Sequence, residues 1–364
     1  MSSGVLAAVK VAPSRTELRE LPMPDVPDDA GLLEVRAAGI CGVDVHDYPR
    51  PLDRGPLIMG HENVGRVAKL GPIAAKRWGL REGDRIALEG YQVCGHCPSC
   101  LSGYFGFCPQ EGDAELDYPP GSLPALQPSR NGGFSQYLYL RPNLRFHRVP
   151  EHVPDEHAAL AIPFGNGWQW AYLEGNAGPG KTVLVQGPGQ QGLGCVVAAR
   201  ESGAETIIVA GLHRDVHRLE VAAALGADHT IDVERDDLQE RVLELTGGQG
   251  VDLALDVAAG SAATVCPAIS LLKPHGTLVV IPARAPIDGF PLEQVSRKSL
   301  SIKGVRGHCY EAVERALRTI ASGKYRLDLV ANYRLGLSQV DEAIRYTAGQ
   351  GPEDAIHVSI DPWK

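Results

Sequence analysis

Three groups of residues in this 364-residue chain have types and spacings suited to chemistry. The tightest is Cys94, Cys97 and Cys100, followed by Cys108. Four thiolates so spaced can wrap one small loop around a tetrahedral Zn²⁺ with no open position, a closed sulfur shell that stabilises a loop without reacting. A disulfide pair and an iron–sulfur cluster are the rival readings. The lack of a secretion signal weighs against the first, and the missing Cys-Pro ending of the bacterial ferredoxin run weighs against the second. His96 and Ser99 lie between the ligands as bystanders.

The second group is Gly187-Pro-Gly189-Gln190-Gln191-Gly192, directly after the strand-like run VLVQ and opening a helical segment. In that setting the first glycine makes a tight turn, the second admits a pyrophosphate, and the third lets helix pack on strand, with the helix N-terminus facing the phosphates. At the end of the following strand, where an acid would hold the ribose 2′-OH of NAD, the sequence reads Gly211-Leu212-His213-Arg214-Asp215. Gly211 leaves space, His213 and Arg214 suit a 2′-phosphate, and Asp215 suits a helix N-cap. This favours NADP over NAD; a merely solvated Arg214 is the alternative. Val257, Ile281 and Pro282 follow later strands, where their backbones would line a nicotinamide pocket. The third group is Cys41, Asp44 and His46 in GICGVDVH, with His61 and Glu62 in GHE. Cys41, His61 and Glu62 are the residue types of a catalytic zinc site, a pattern that gains weight from the other two groups.

The elements that must position these groups change character along the chain. Residues 1 to about 155 read as short strands (32–40, 63–71, 84–90 and 134–142) punctuated by Gly and Pro, with no helix-length amphipathic run. From about Pro154, strands at 183–187, 206–211, 229–233, 251–257 and 277–282 alternate with helices at 193–202, 215–225, 236–246 and 262–272, which predicts right-handed βαβ crossovers and a parallel sheet. SIKGV reads as a last strand, EAVERALRTIASGK as an amphipathic helix, and GKYRLDLV as that helix's end followed by a strand. The Pro/Gly-rich stretch 109–133 reads as a long surface loop, a lid or a subunit contact.

Composition agrees with a soluble globular protein of two domains: 44% hydrophobic and 22% charged residues exclude disorder, collagen and coiled coil. With 35 Lys+Arg against 44 Asp+Glu the net charge is −9, and no basic block is present, which argues against nucleic acid and anionic membranes as partners. Apolar runs fall short of a membrane span, so the expected location is the cytoplasm. Cys195, Cys266 and Cys309 read as small buried hydrophobes.

GICGVDVH, MGHENVGRV, the four-Cys lobe and GPGQQG occur in the order and spacing of the zinc-containing medium-chain alcohol/polyol/threonine dehydrogenases, which the whole chain resembles. The resemblance implies an α/β fold: a Rossmann doubly wound parallel sheet inserted into a chaperonin-10-like β-barrel catalytic domain. The expected boundaries are 1–160 and 300–364 for the catalytic domain, with its zinc lobe at 91–110, and 161–299 for the Rossmann domain. It also implies hydride transfer between nicotinamide and a small alcohol or carbonyl, and a homodimer or homotetramer. Cys41 and His61 match ligands of the catalytic zinc, Glu62 the neighbouring carboxylate, Asp44 a carboxylate orienting the ligand His, and His46 the outer end of a proton relay.

Two positions depart from the family pattern. The relay hydroxyl is replaced by Val43, which passes no proton, and the remaining zinc ligand, expected in ALAIPFGNGWQWAYL, by Ile162. Either Glu62 completes a Cys41–His61–Glu62–water site or the zinc is weak or absent. Two rival functions follow: an NADPH-dependent reductase of an activated C=C or C=N bond, and a non-catalytic cofactor-binding protein. Trp168 and Trp170, beside Asn166 and Gln169, suit either an aromatic substrate pocket or helix packing.

Overall fold

The computed structural model describes residues 4–52, 56–91, 93–109, 132–258, 262–281 and 286–364. The expected loop at 109–133 lies outside them apart from its ends, as does Pro282. The chain forms two compact units, one of Met1–Ile162, Thr319–Gly323 and Leu327–Lys364, the other of Pro163–Arg318 and Lys324–Arg326.

The first unit is built on the strand Gly31–Gly39, whose sequence GLLEVRAAG is apolar enough to be buried along most of its length. It runs antiparallel to Glu62–Leu70 on one side, setting Gly39 opposite Glu62. On the other side its first half pairs with Tyr137–Leu140 and its last residues with the C-terminal strand Val358–Asp361, Ser359 opposite Gly39. Tyr333–Gly336, Arg85–Leu88 and Phe146–Arg148 complete a seven-stranded sheet, and Val5–Ala12, with Arg15–Leu21 and Leu57–Ile58, forms a smaller one. Leu33, Ile40, Ile86, Phe134 and Leu140 are among the side chains fully buried in this unit's core. Two short helices, Gly42–Asp47 and Pro72–Trp78, were not legible in the sequence, being shorter than the window over which helical periodicity registers.

The second unit is a parallel six-stranded sheet in the order His229–Asp232, Thr206–Gly211, Thr182–Gln186, Val251–Asp256, Leu272–Val280 and Ser301–Gly304. The helices Gln190–Glu201, Val216–Ala224, Leu238–Leu245 and Val265–Leu271 fall where the sequence predicts them, with ends displaced by a few residues. Strands covered by helices on both faces carry continuous apolar runs, and Leu184, Ile208, Ala254 and Leu278 are fully buried.

Three sequence readings are corrected. The boundary expected at 300 falls inside the second unit, because Ser301–Gly304 pairs in parallel with Leu272–Val280 and the first unit resumes only at Thr319. Residues 327–329 form a single turn of 3₁₀ helix rather than a strand; Leu327 and Val330, three apart, are both buried, and the strand begins at Tyr333. The strand expected at 63–71 starts at Glu62, which is thereby fixed in the sheet and 1% exposed. Among the described residues no helix is long and apolar enough to cross a membrane.

Candidate active site

Cys41 directly follows the central strand and Ile40, at the N-terminus of Gly42–Asp47, whose third residue is Asp44. One Asp44 carboxylate oxygen accepts from the Cys41 backbone N–H at 2.9 Å, closing the first turn, and the other accepts from Gly60 N–H at 3.3 Å. A single buried side chain thus ties the thiol's loop to the loop carrying His61. The same carboxylate lies 3.8 Å from His61 Nδ1, the arrangement by which a metal-ligating imidazole is held in place. Burial pushes the Asp44 carboxyl up, while His61 and the two backbone N–H groups pull it down.

Ligand atoms of Cys41, His61 and Glu62 all lie within 4.8 Å of one another, Cys41 and Glu62 buried and His61 partly exposed. Two features of this trio fit a divalent cation. Burial, with the Glu62 and Asp44 carboxylates close by, raises the Cys41 thiol well above its ordinary range, so an anionic thiolate needs a compensating positive charge. Both Glu62 carboxylate oxygens are buried without a hydrogen-bond partner among the described residues, a state costly to a carboxylate unless a cation pairs with it. A thiolate, an imidazole and a carboxylate make three protein ligands with room for a fourth, the donor set of catalytic zinc. His357, at the foot of the C-terminal strand, reaches the same carboxylate, its Nε2 3.5 Å from Glu62 Oε2. No sequence signal marks it: a lone His in AIHVSI has no motif around it.

His46 stands apart from this trio. Its Nε2 is 2.9 Å from the Arg50 guanidinium and its Nδ1 2.9 Å from Asp47. Arginine only donates, so Nε2 is assigned as acceptor and Nδ1–H as donor to Asp47. Val43 is 54% exposed and offers no polar atom; Ile162 is buried.

The four-Cys lobe is brought together. The sulfur atoms of Cys94, Cys97, Cys100 and Cys108 lie within 4.8 Å of one another, with 3.8 Å between Cys94 and Cys100 and 3.4 Å between Cys97 and Cys100. A tetrahedron with Zn–S bonds of about 2.3 Å has edges of about 3.8 Å. Backbone N–H groups of Cys97, Cys100 and Cys94 point at the sulfurs of Cys94, Cys97 and Cys108, donors that favour thiolates. The backbone N–H of His96, then that of Cys97, brings the Cys94 thiol down to about 6. All eight cysteines are free.

In the second unit, Gly187 has φ +103°, and a Cβ there would lie 2.9 Å from the Ala258 backbone. A Cβ on Gly192 would lie 2.0 Å from the Gly187 carbonyl oxygen, whereas one on Gly189 would meet nothing within 4 Å. The turn is therefore tight at its ends and open in the middle, as a pyrophosphate requires. The helix Gln190–Glu201 starts with no side-chain cap, and Gln190 Oε1 is buried without a partner among the described residues. Gln191 occupies the first turn of that helix. Val257 and Ile281 follow directly on parallel strands, at the carboxyl ends where such sheets bind ligands.

Beyond Thr206–Gly211, a Cβ on Gly211 would sit 2.9 Å from Pro188. The His213 imidazole is 2.7 Å from Asp232, its backbone N–H donates to Glu234 at 2.7 Å, and Arg214 is exposed. Asp215 precedes the helix Val216–Ala224 but its side chain does not cap it; its carboxylate instead accepts from the Leu212 N–H at 3.1 Å, closing the turn before the helix. Trp168 and Trp170 are packing residues, both buried: the Trp170 indole donates to the Gly307 carbonyl at 2.8 Å, and Arg315 lies over Trp168. Asn166 meets His308, and Gln169 accepts from Cys309 N–H.

Comparison with known proteins bears on the family and the fold. A family model described as alcohol dehydrogenase GroES-like domain matches residues 27–151, and one described as zinc-binding dehydrogenase matches 192–322. A protein of Mycobacterium tuberculosis named a probable alcohol dehydrogenase is 36% identical over 358 residues, 96% of each chain. Sorbitol dehydrogenase of Bacillus subtilis is 33% identical over 280 residues, 76% of this chain and 74% of its own. Among solved structures, an alcohol dehydrogenase of Thermus sp. ATN1 superposes with a TM-score of 0.83 at 27% identity, covering 98% of this chain and 99% of its own.

The lobe makes a prediction of its own. Cys97→Ser should release about one zinc per chain and open residues 93–109 to proteolysis, both measured against wild type after dialysis with a chelator. Unchanged metal content would assign the lobe to sulfur packing alone.

Proposed function

This chain belongs to the zinc-containing medium-chain dehydrogenase family, and on that footing we propose how its own residues perform hydride transfer between NAD(P) and a small alcohol or carbonyl. The observation that carries the reading is the convergence of Cys41, His61 and Glu62, with both oxygens of the buried Glu62 carboxylate lacking a hydrogen-bond partner among the described residues. Zinc held there supplies Lewis acidity to the substrate oxygen, and nicotinamide gives or takes the hydride.

Asp44 keeps the thiol's loop and the imidazole's loop in register. Glu62 stands where Ile162 leaves no ligand. Val43 carries no proton, so the proton travels by water, by the cofactor ribose or by His46, whose ring is held by Asp47 and Arg50. In the second unit Gly187, Gly189 and Gly192 shape the pyrophosphate turn, Gln190 and Gln191 present backbone N–H groups from the helix start, and Val257 and Ile281 border the nicotinamide end. Cys41→Ser should cut kcat/KM by about a hundredfold or more, given the several kcal/mol that a Lewis-acid metal contributes, and should leave the lobe zinc bound. Metal counting on the same preparation checks it. Retained activity with zinc in the lobe alone would favour reduction of an activated C=C or C=N bond, and no turnover of NAD(P)H across a carbonyl and enone panel would favour a non-catalytic role.

NADP is the favoured cofactor. The residue at the strand end is Gly211 rather than an acid, the neighbouring Asp232 is engaged by His213, and the exposed Arg214 follows within one turn. His213, engaged by Asp232 and Glu234, serves as a spacer more than as a phosphate ligand. Arg214→Ser should lower kcat/KM for NADPH by roughly ten- to a hundredfold, the worth of a charge-assisted hydrogen bond, and leave NADH unaffected; a wild type that prefers NADH would reverse this assignment.

A homo-oligomer is proposed from the last strand of the parallel sheet. Ser301–Gly304 ends the sheet with all four residues exposed, including Ile302 at 38%, and a bare strand edge is a template for pairing with a second copy. Ile302→Pro should reduce the solution mass, measured by light scattering, to that of the monomer. The cytoplasm is the proposed location, since two zinc–thiolate sites using five of the eight cysteines suit a reducing compartment.

A further inference from the structure

Glu62 and His357 face one another across a gap that the central strand leaves open. Gly39 is paired with Glu62 on one side and Ser359 on the other. A Cβ on Gly39 would lie 2.7 Å from both Glu62 Oε2 and His357 Nε2. The missing side chain therefore lets a carboxylate and an imidazole from two flanking segments meet over the strand. Both side chains are fully buried, 3.5 Å apart, and the carboxylate oxygens and both ring nitrogens have no hydrogen-bond partner among the described residues. Neither group can retreat: Glu62 is held in the sheet ladder, and the His357 backbone N–H donates to the Val330 carbonyl at 3.0 Å.

A buried carboxylate with an imidazole on one flank and a thiol and a second imidazole on the other has two claims on its two oxygens. We infer that His357 is the positioning residue for Glu62: its ring N–H takes Oε2, which turns the remaining oxygen toward Cys41 and His61 and makes Glu62 a metal ligand. A ligating carboxylate is in general held by a hydrogen bond on its other side, and removing that partner weakens metal binding by about 10- to 100-fold. With Ile162 contributing no ligand, the cost of a misaimed Glu62 falls directly on the metal. This inference rests on the metal reading proposed above.

The test is a titration of Co²⁺ into full-length protein whose lobe zinc is retained, following the thiolate-to-cobalt absorption of Cys41 and confirming the fold by circular dichroism. His357→Phe should weaken Co²⁺ binding by about 10- to 100-fold, and His357→Gln, which restores an N–H donor, should return it close to wild type. In a Glu62→Gln background His357→Phe should have no further effect, because its action runs through that carboxylate. Equal Co²⁺ affinity in wild type and His357→Phe, or an undiminished effect in the Glu62→Gln background, would overturn the inference. Should the Phe variant not fold, His357→Asn, whose shorter amide cannot span the gap, takes its place with the same expected weakening. A wild type with no thiolate-to-cobalt band would instead overturn the metal reading itself, an outcome distinct from one confined to the variants.

Discussion

The Asp44 carboxylate fastens two loops that the sequence leaves nearly twenty residues apart. By accepting from the N–H groups of Cys41 and Gly60, it fixes where the thiol begins and where the turn before His61 ends. Two backbone donors would otherwise be buried unsatisfied, at about 1–3 kcal/mol each, so the carboxylate is required by the fold before any metal is considered. That the same side chain faces the His61 ring means the folding constraint and the orientation of that imidazole are one interaction. The geometry of the site thus rests on backbone satisfaction, a more rigid foundation than side-chain contacts among the ligands.

The dinucleotide turn follows a different logic. There the constraint is steric: carbonyl and backbone atoms crowd Gly187 and Gly192, while the space over Gly189 stays empty. Any side chain at the outer two positions would have to move main chain, whereas the middle position is kept clear for something that is not protein. The uncapped start of the following helix supplies unpaired N–H groups and the positive end of its dipole to the same space. Shape and charge there suit an anionic ligand without any charged side chain.

What could be read from the sequence was whatever chemistry is local. The four cysteines lie within fifteen residues and the glycines within six, so spacing alone carried their geometry. The alternation of strand and helix from about residue 180 to 280 was equally legible because the central strands Thr182–Gln186, Thr206–Gly211 and Val251–Asp256 are buried on both faces and read as apolar runs. His357 was not legible: it meets Glu62 only because strands from the two ends of the chain flank Gly39. The edge strand Ser301–Gly304 was recognised as a strand but assigned to the wrong unit, since a short exposed segment carries no mark of which sheet it will join. The place of Ile162 could be named but its remedy could not, because whether Glu62 is free to ligate depends on partners that only the fold supplies.

The closing strand Val358–Asp361 has a consequence for the order of events as the protein is made. Its partner, the strand ending at Gly39, leaves the ribosome roughly 320 residues earlier. The parallel sheet, whose strands neighbour one another in sequence, is free to fold while the polypeptide is still emerging, as domains generally do during synthesis. In the first unit, the last residues of the central strand lack their partner on that edge until Val358–Asp361 has been made. The contact between Glu62 and His357 therefore forms late, after the whole parallel sheet has emerged.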